Sequence, residues 1–204
     1  MAHASCSHCG SQTETTEYQS INVAQNPELK ARVLDGSLFV WECPYCGTRN
    51  LARYQTLYHD PSARLMIWLL PEDYEMPLGV EDAVRQLDGY TLRRVSEAGE
   101  LIEKVKIFDA GLEDTVMEIC KWVTRQELAV KAPEAQNAVL RFVRVEGADN
   151  DLVFAFPLGG NMNTIHVGFN VYEDAKAILS RNPSIAPSPG FADVSPAWLS
   201  LHLR

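Results

Sequence analysis

Apolar and polar positions follow two rhythms along the chain. Between 49 and 58 they alternate, with Leu51, Arg53, Gln55 and Leu57 on one face and Ala52, Tyr54, Thr56 and Tyr58 on the other. That is the period of two that a strand imposes. His59-Asp60-Pro61-Ser62 has turn chemistry and 64–70 is a second, largely apolar strand, so the segment predicts a β-hairpin. Thr13, Thr15, Tyr18, Ile21 and Val23 mark extended chain within 11–23, and Leu38-Phe39-Val40-Trp41-Glu42 marks another strand. Between them, Asn26-Pro27 reads as an N-cap with proline at the first helical position. Leu29, Val33 and Leu34 give a helical stripe, and Gly36 suits the residue after the last turn. A short helix over about 27–35 is predicted.

Beyond the acidic, proline-flanked stretch from Pro71 to Pro77 the rhythm becomes helical. A short helix is predicted at about 80–87 and a brief strand over Thr91–Val95. Ser96 is a good N-cap, Glu97 and Glu100 suit a first turn, and Leu101, Ile102, Val105 and Phe108 form an apolar face. After Gly111 a second helix, about 113–127, carries Val116, Ile119, Cys120 and Val123 on one face. Together these predict a helical hairpin. Residues 131–137 read as a linker. Three strands follow, at 138–146, 151–157 and 164–171, joined by glycine- and asparagine-rich turns. Asn170 and Glu173 suggest a capping box for a helix over about 171–181. A proline-rich loop precedes a last short helix with Trp198 and Leu201. The pattern predicts an α+β fold: a β module with an inserted helix (1–75), a helical region (76–130), and a C-terminal three-stranded antiparallel sheet with a helix (136–204).

The cysteines add chemistry to this outline. Cys6-Ser7-His8-Cys9-Gly10 and Cys43-Pro44-Tyr45-Cys46-Gly47 are matched CxxCG turns, and Cys120 stands alone. Each pair predicts a knuckle that presents two sulfurs to one metal. The glycine after the second cysteine permits close backbone approach and positive φ. Four thiolates at tetrahedral distances suit a closed structural Zn2+ site at Cys6, Cys9, Cys43 and Cys46. Iron is the competitor, since all-sulfur tetrahedral sites hold either metal. The 33-residue spacer between Cys9 and Cys43 is long for a minimal zinc ribbon, and the helix at 27–35 accounts for the excess. Cys120 has the spacing of a buried helical thiol.

Composition and charge narrow the partners. The chain has 204 residues, 46% of them apolar and 22% charged, an ordinary globular balance. Its 27 acidic against 18 basic side chains leave a formal charge of -9, which argues against a general nucleic-acid binder. Arg49 and Arg53 with Tyr54 and Tyr58 are the best candidates for such contacts. On a strand, however, the arginines and tyrosines face opposite ways. The longest apolar run, 65–70, has six residues, whereas a membrane helix needs ~20. Met1-Ala2-His3-Ala4-Ser5-Cys6 lacks the basic and apolar regions of a secretory signal. The expectation is a cytoplasmic, non-catalytic protein whose partner is another protein, with the oligomeric state left open. The alternatives are a nucleic-acid-associated zinc-ribbon protein, or an enzyme using His59 and Asp60 as an acid/base pair, although aspartate before proline is also a plain turn-former. Glu97, Glu100 and Glu103 read as a solvated helix face, with Lys104 as the i+4 partner of Glu100. Gly159-Gly160 reads as a hairpin turn, not a phosphate loop.

The two cysteine motifs, with Asn26-Pro27-Glu28-Leu29-Lys30, Leu57-Tyr58-His59-Asp60, Glu100-Leu101-Ile102-Glu103-Lys104 and Ile107-Phe108-Asp109-Ala110-Gly111-Leu112, resemble the CpXC-domain family of bacteria and archaea. The resemblance spans roughly residues 5–125, so it implies that the helical region completes the CpXC domain. Only the second motif has the literal CPxC form, because Ser7 stands where the first would have proline. The resemblance implies a metal-binding domain and no particular enzyme activity.

Overall fold

The computed structural model describes residues 2–77, 79, 80, 84 and 87–202. The chain divides into two compact units, Met1–Ile102 and Glu103–Arg204. The helix expected at about 80–87 lies largely outside the described residues.

In the first unit, β1 (Ala2–Ser5) and β2 (Gln12–Thr15) form an antiparallel ribbon on either side of the first knuckle. The strand β1 had no counterpart in the sequence reading, because Met1 to Ser5 carries no alternating apolar signal. β3 (Ser20–Asn22) leads into α1 (Pro27–Leu34), which begins at the proline as expected and buries Leu29 and Val33. Asn26 precedes it without a side-chain capping bond. A 3-10 turn over Ser37–Phe39 feeds β4 (Val40–Glu42), which pairs with β5 (Arg49–Leu51) around the second knuckle.

The alternation at 49–58 is real but does not form one strand. It splits at 52–55 into β5 and β6 (Thr56–Asp60). β5 belongs to the knuckle ribbon, whereas β6 makes the hairpin with β7 (Leu65–Leu69). His59 and Asp60 therefore close β6 and the turn begins at Pro61. β8 (Thr91–Val95) runs parallel to β7, and β3 runs parallel to β6, so this unit's strands are ordered β8-β7-β6-β3. β7 is central and entirely apolar, and its Leu65, Ile67 and Leu69 are buried with Ile21, Tyr58 and Val95. The helix α2 (Ala98–Asp109) opens at the end of this unit. The Glu100 carboxylate accepts from the Ser96 and Glu97 N–H groups, satisfying donors that the first turn leaves open.

In the second unit α2 continues, and α3 (Asp114–Lys131) runs four residues further than its periodicity predicted. β9 (Arg141–Glu146), β10 (Asp151–Leu158) and β11 (Asn161–Val167) form the expected antiparallel meander, ordered β11-β10-β9. α4 (Asn170–Arg181) follows, then β12 (Ala192–Asp193) and α5 (Pro196–His202). The expected capping box at Asn170 is not formed, because Asn170 is already inside the helix and Phe169 precedes it. The core joins Ile107, Met117 and Ile119 to Leu140, Phe142 and Phe154.

One expectation about the helices is overturned. Glu103 and Lys104 are not a solvated face, since both are buried with Asp114, Glu118 and Lys121. Lys104 pairs with Asp114 at 2.7 Å and donates to the Val194 carbonyl at 2.6 Å. Lys121 pairs with Glu118 at 2.6 Å and with Glu103 at 3.1 Å. Glu103 also accepts from the Phe142 N–H and from Arg141. Charge pattern on one helix suggested i+4 pairing. Compensation by groups on the next helix and strand was invisible to that pattern.

Candidate metal centre

The two knuckles are built alike. In the first, the Cys6 N–H donates to the Ser11 carbonyl and the Gly10 N–H to the Cys6 carbonyl, at 2.9 and 3.0 Å. In the second, the Cys43 N–H donates to the Thr48 carbonyl and the Gly47 N–H to the Cys43 carbonyl, both at 2.9 Å. Gly10 has φ +73 and Gly47 φ +70, a region open to glycine and strained for other residues. A Cβ at Gly10 would meet nothing within 4 Å. The glycine is needed there for its backbone angle, and the close approach expected from sequence plays no part.

The knuckles bring all four sulfurs together. Cys6 Sγ lies 3.6 Å from Cys46 Sγ, and Cys9 Sγ lies 3.7 Å from Cys43 Sγ. All four lie within 4.8 Å of one another, and this is the one such cluster of ligating side chains among the described residues. Sulfurs bonded at about 2.3 Å to one tetrahedral ion sit about 3.8 Å apart, so the spacing fits a single metal ion. Cys6 and Cys43 are buried and Cys9 and Cys46 exposed. All are free thiols.

The surroundings favour sulfur as an anion at part of the site. N–H groups of the first knuckle, that of Cys9 foremost and that of His8 with it, hold the Cys6 thiol down to about 6 against the opposing effect of burial. The neighbouring Ser11 hydroxyl lowers Cys9. Burial pushes Cys43 up to about 11. His8 is exposed, contributes its backbone N–H to the Cys6 sulfur at 3.5 Å, and its ring is not among the clustered ligating groups.

Asn50, a residue the sequence reading passed over, ties the knuckles together. It is buried. Its Oδ1 accepts from the Ser7 N–H at 2.9 Å and the Ser7 hydroxyl at 2.8 Å. Its Nδ2 donates to the Thr48 carbonyl at 2.9 Å and approaches the Cys6 sulfur at 3.6 Å. The one available signal was its position, four residues after Cys46 on the strand leaving the knuckle. Groups that orient ligands in this way typically contribute a factor of 10–100 in metal affinity. Asn50→Ala should therefore weaken metal binding by about that factor, as measured by competition with a chromogenic chelator, while the second unit stays folded.

The chain belongs to the CpXC family. The family described as CpXC protein matches residues 4–121, more than half of the chain and both cysteine motifs. No curated protein and no solved structure matches the chain significantly. The CpXC match thus contains the whole sulfur cluster and runs through α2 into α3.

Other candidates from the sequence are not assembled into sites. His59 and Asp60 point to opposite faces of β6. The Asp60 carboxylate is buried and occupied by the Ser62 hydroxyl at 2.6 Å, the Ser62 and Ala63 N–H groups, and Lys30 at 3.3 Å. Burial would raise its carboxyl, but Ser62, Ala63 and Lys30 outweigh burial and hold it below the ordinary carboxylate range. His59 instead meets the Tyr90 hydroxyl at 3.2 Å. Tyr54 and Tyr58 are buried, and the Tyr54 hydroxyl donates to the Leu38 carbonyl. Neither ring is a surface for stacking bases. Cys120 is buried on α3 in the second unit, where burial pushes its thiol up to about 12. Cys120→Ala should keep its full metal content, and in the folded parent Cys120 should be the cysteine slowest to react with an alkylating reagent at pH 8, as read by peptide mass mapping.

Proposed function

We propose that this CpXC protein is a non-catalytic cytoplasmic adaptor whose four cysteines hold one structural Zn2+. The convergence of the four sulfurs from two separate ribbons carries this reading. The β1–β2 and β4–β5 ribbons share no ladder. Two-stranded ribbons are marginal in isolation, so an ion bonded to both supplies a link the backbone lacks. Four protein ligands complete a tetrahedron and leave no position for activating water. Zinc suits such a clamp because it has no redox chemistry of its own.

The adaptor role is favoured over nucleic-acid binding by the net negative first 75 residues, which carry five basic against nine acidic side chains, and by the burial of both tyrosines. Elemental analysis of the purified full chain tests the metal: one zinc per chain and no visible absorption supports the reading. Stoichiometric iron with a coloured thiolate band contradicts it. Salt-dependent binding to mixed oligonucleotides would contradict the adaptor role.

A further inference from the structure

The adaptor reading leaves open where a partner would dock, and the β5 edge answers it. In the β4–β5 ribbon the Cys43 N–H donates to the Thr48 carbonyl and the Ala52 N–H to the Phe39 carbonyl. Bonded pairs in an antiparallel ladder alternate with non-bonded ones, so 43/48, 41/50 and 39/52 are the bonded pairs. Val40↔Leu51 and Glu42↔Arg49 are the non-bonded pairs in this register. Arg49 and Leu51 therefore turn their N–H and C=O groups away from β4. Among the described residues, β5 has no strand on that outer side. An open edge of this kind is a template for another strand.

The side chains along the edge are as unusual as its backbone. Leu51 is 81% exposed, with Arg49 and Arg53 two residues away on either side, both exposed. These three residues line a cavity of about 740 Å3 whose floor includes Phe39, Tyr54 and Leu69, within the size range of ligand pockets. The cavity also has acidic groups. Asp35 accepts from the Ser37 N–H, and Glu97 lies at the start of α2. Asp73 pairs with Arg53 at 3.0 Å, with both side chains well exposed, a pair of small net worth that an incoming carboxylate can displace. Arg49 is on the edge strand itself and Arg53 lies two residues past its end, so Arg49 becomes a cross-strand neighbour of whatever pairs there and Arg53 borders it.

Resting on the adaptor reading, we propose that the outer edge of β5 is a strand-addition site for an extended segment of a partner protein, one in which an apolar residue is flanked two positions away on each side by carboxylates. Backbone pairing supplies the attachment, Leu51 and the cavity take the apolar side chain, and Arg49 and Arg53 read the two acids. Specificity comes from the alternation, because only side chains of one parity face Arg49 and Leu51.

The test uses the full metal-loaded chain and a fluorescein-labelled peptide, Ser-Glu-Thr-Leu-Thr-Glu-Ser, followed by fluorescence anisotropy. The wild-type chain should bind it at least tenfold more tightly than the counterpart with lysine in place of both glutamates. The double variant Arg49→Glu/Arg53→Glu, with unchanged metal content, should reverse that preference. N-methylation of alternate peptide amides should abolish binding for one parity and spare the other. Absence of binding to the wild-type chain, an unchanged preference in the double variant, or indifference to N-methyl parity overturns the site. If the wild-type chain and the double variant capture the same host protein equally well, the β5 site is overturned and the adaptor reading stands. If neither captures any host protein, the adaptor reading fails too.

Discussion

Cys43→Ser should release the metal and melt both knuckle ribbons while sparing the paired strands β3, β6, β7 and β8. Cys43 is buried and its sulfur lies 3.7 Å from that of Cys9, so it couples one ribbon to the other. Structural zinc sites contribute on the order of 10–16 kcal/mol of apparent binding free energy. A site with three thiolates and a neutral hydroxyl cannot hold the ion comparably, because the hydroxyl is a poor anion at neutral pH. Ribbons of three and four residues per strand have little else to hold them. Strands β3, β6, β7 and β8, by contrast, have their own buried side chains in Ile21, Tyr58, Ile67 and Leu92. Hydrogen exchange should show full loss of protection for 2–15 and 40–51 and retained protection across 56–69, alongside loss of the metal. A variant that keeps its metal, or one whose ribbon amides stay protected after losing it, would refute the clamp.

The second large effect is expected in the other unit. Lys121→Met should destabilise it by roughly 3–5 kcal/mol, the usual cost of stranding a buried charge. Glu103, Glu118 and Lys121 are all at most 5% exposed, and Lys121 lies within 3.1 Å of both carboxylates. Burial raises the Glu103 carboxyl, but Lys121 and Arg141 outweigh burial and hold it low. Glu118 is held up, burial outweighing Lys121 and Lys104. Burial would depress the Lys121 ammonium, but Glu103 and Glu118 hold it up.

The signs differ between the two acids. Glu103's low carboxyl contributes stability above its unfolded pKa, and that contribution is lost as pH falls through the folded value. Glu118's raised carboxyl favours the protonated folded form, and that contribution is lost as pH rises. Removing Lys121 pushes both carboxyls upward, so the variant should recover stability relative to wild type as pH falls from 7 to 5. A cavity alone would give a pH-independent loss in urea unfolding. Adding Glu118→Leu to Lys121→Met should restore part of the stability, since an apolar replacement leaves no charge to strand.

The parts of this molecule that depend on local order could be read from its residues. The helix at Pro27 needs one proline and a stripe of three apolar side chains, and the meander at 141–167 needs alternation and glycine turns. Both were visible. The knuckles were visible for the same reason, since a CxxCG turn contains its own geometry. What escaped the sequence depends on residues far apart in the chain. The split of 49–58 into two strands reflects the pairing of β5 with β4 and of β6 with β7, which alternation alone does not encode. Asn50 acts through Ser7, 43 positions earlier, and nothing in its neighbours announces that. Glu103 looked solvated because its partners Lys121 and Arg141 lie 18 and 38 positions away. A surface charge and a compensated buried one are written with the same letters.

The central claim is one ion held by four sulfurs from both ribbons. X-ray absorption at the zinc edge of the purified full chain measures that shell directly. The account predicts four sulfur neighbours at about 2.3 Å and no lighter ligand. A shell with nitrogen or oxygen in place of any sulfur, or a chain that carries no stoichiometric zinc, would contradict it.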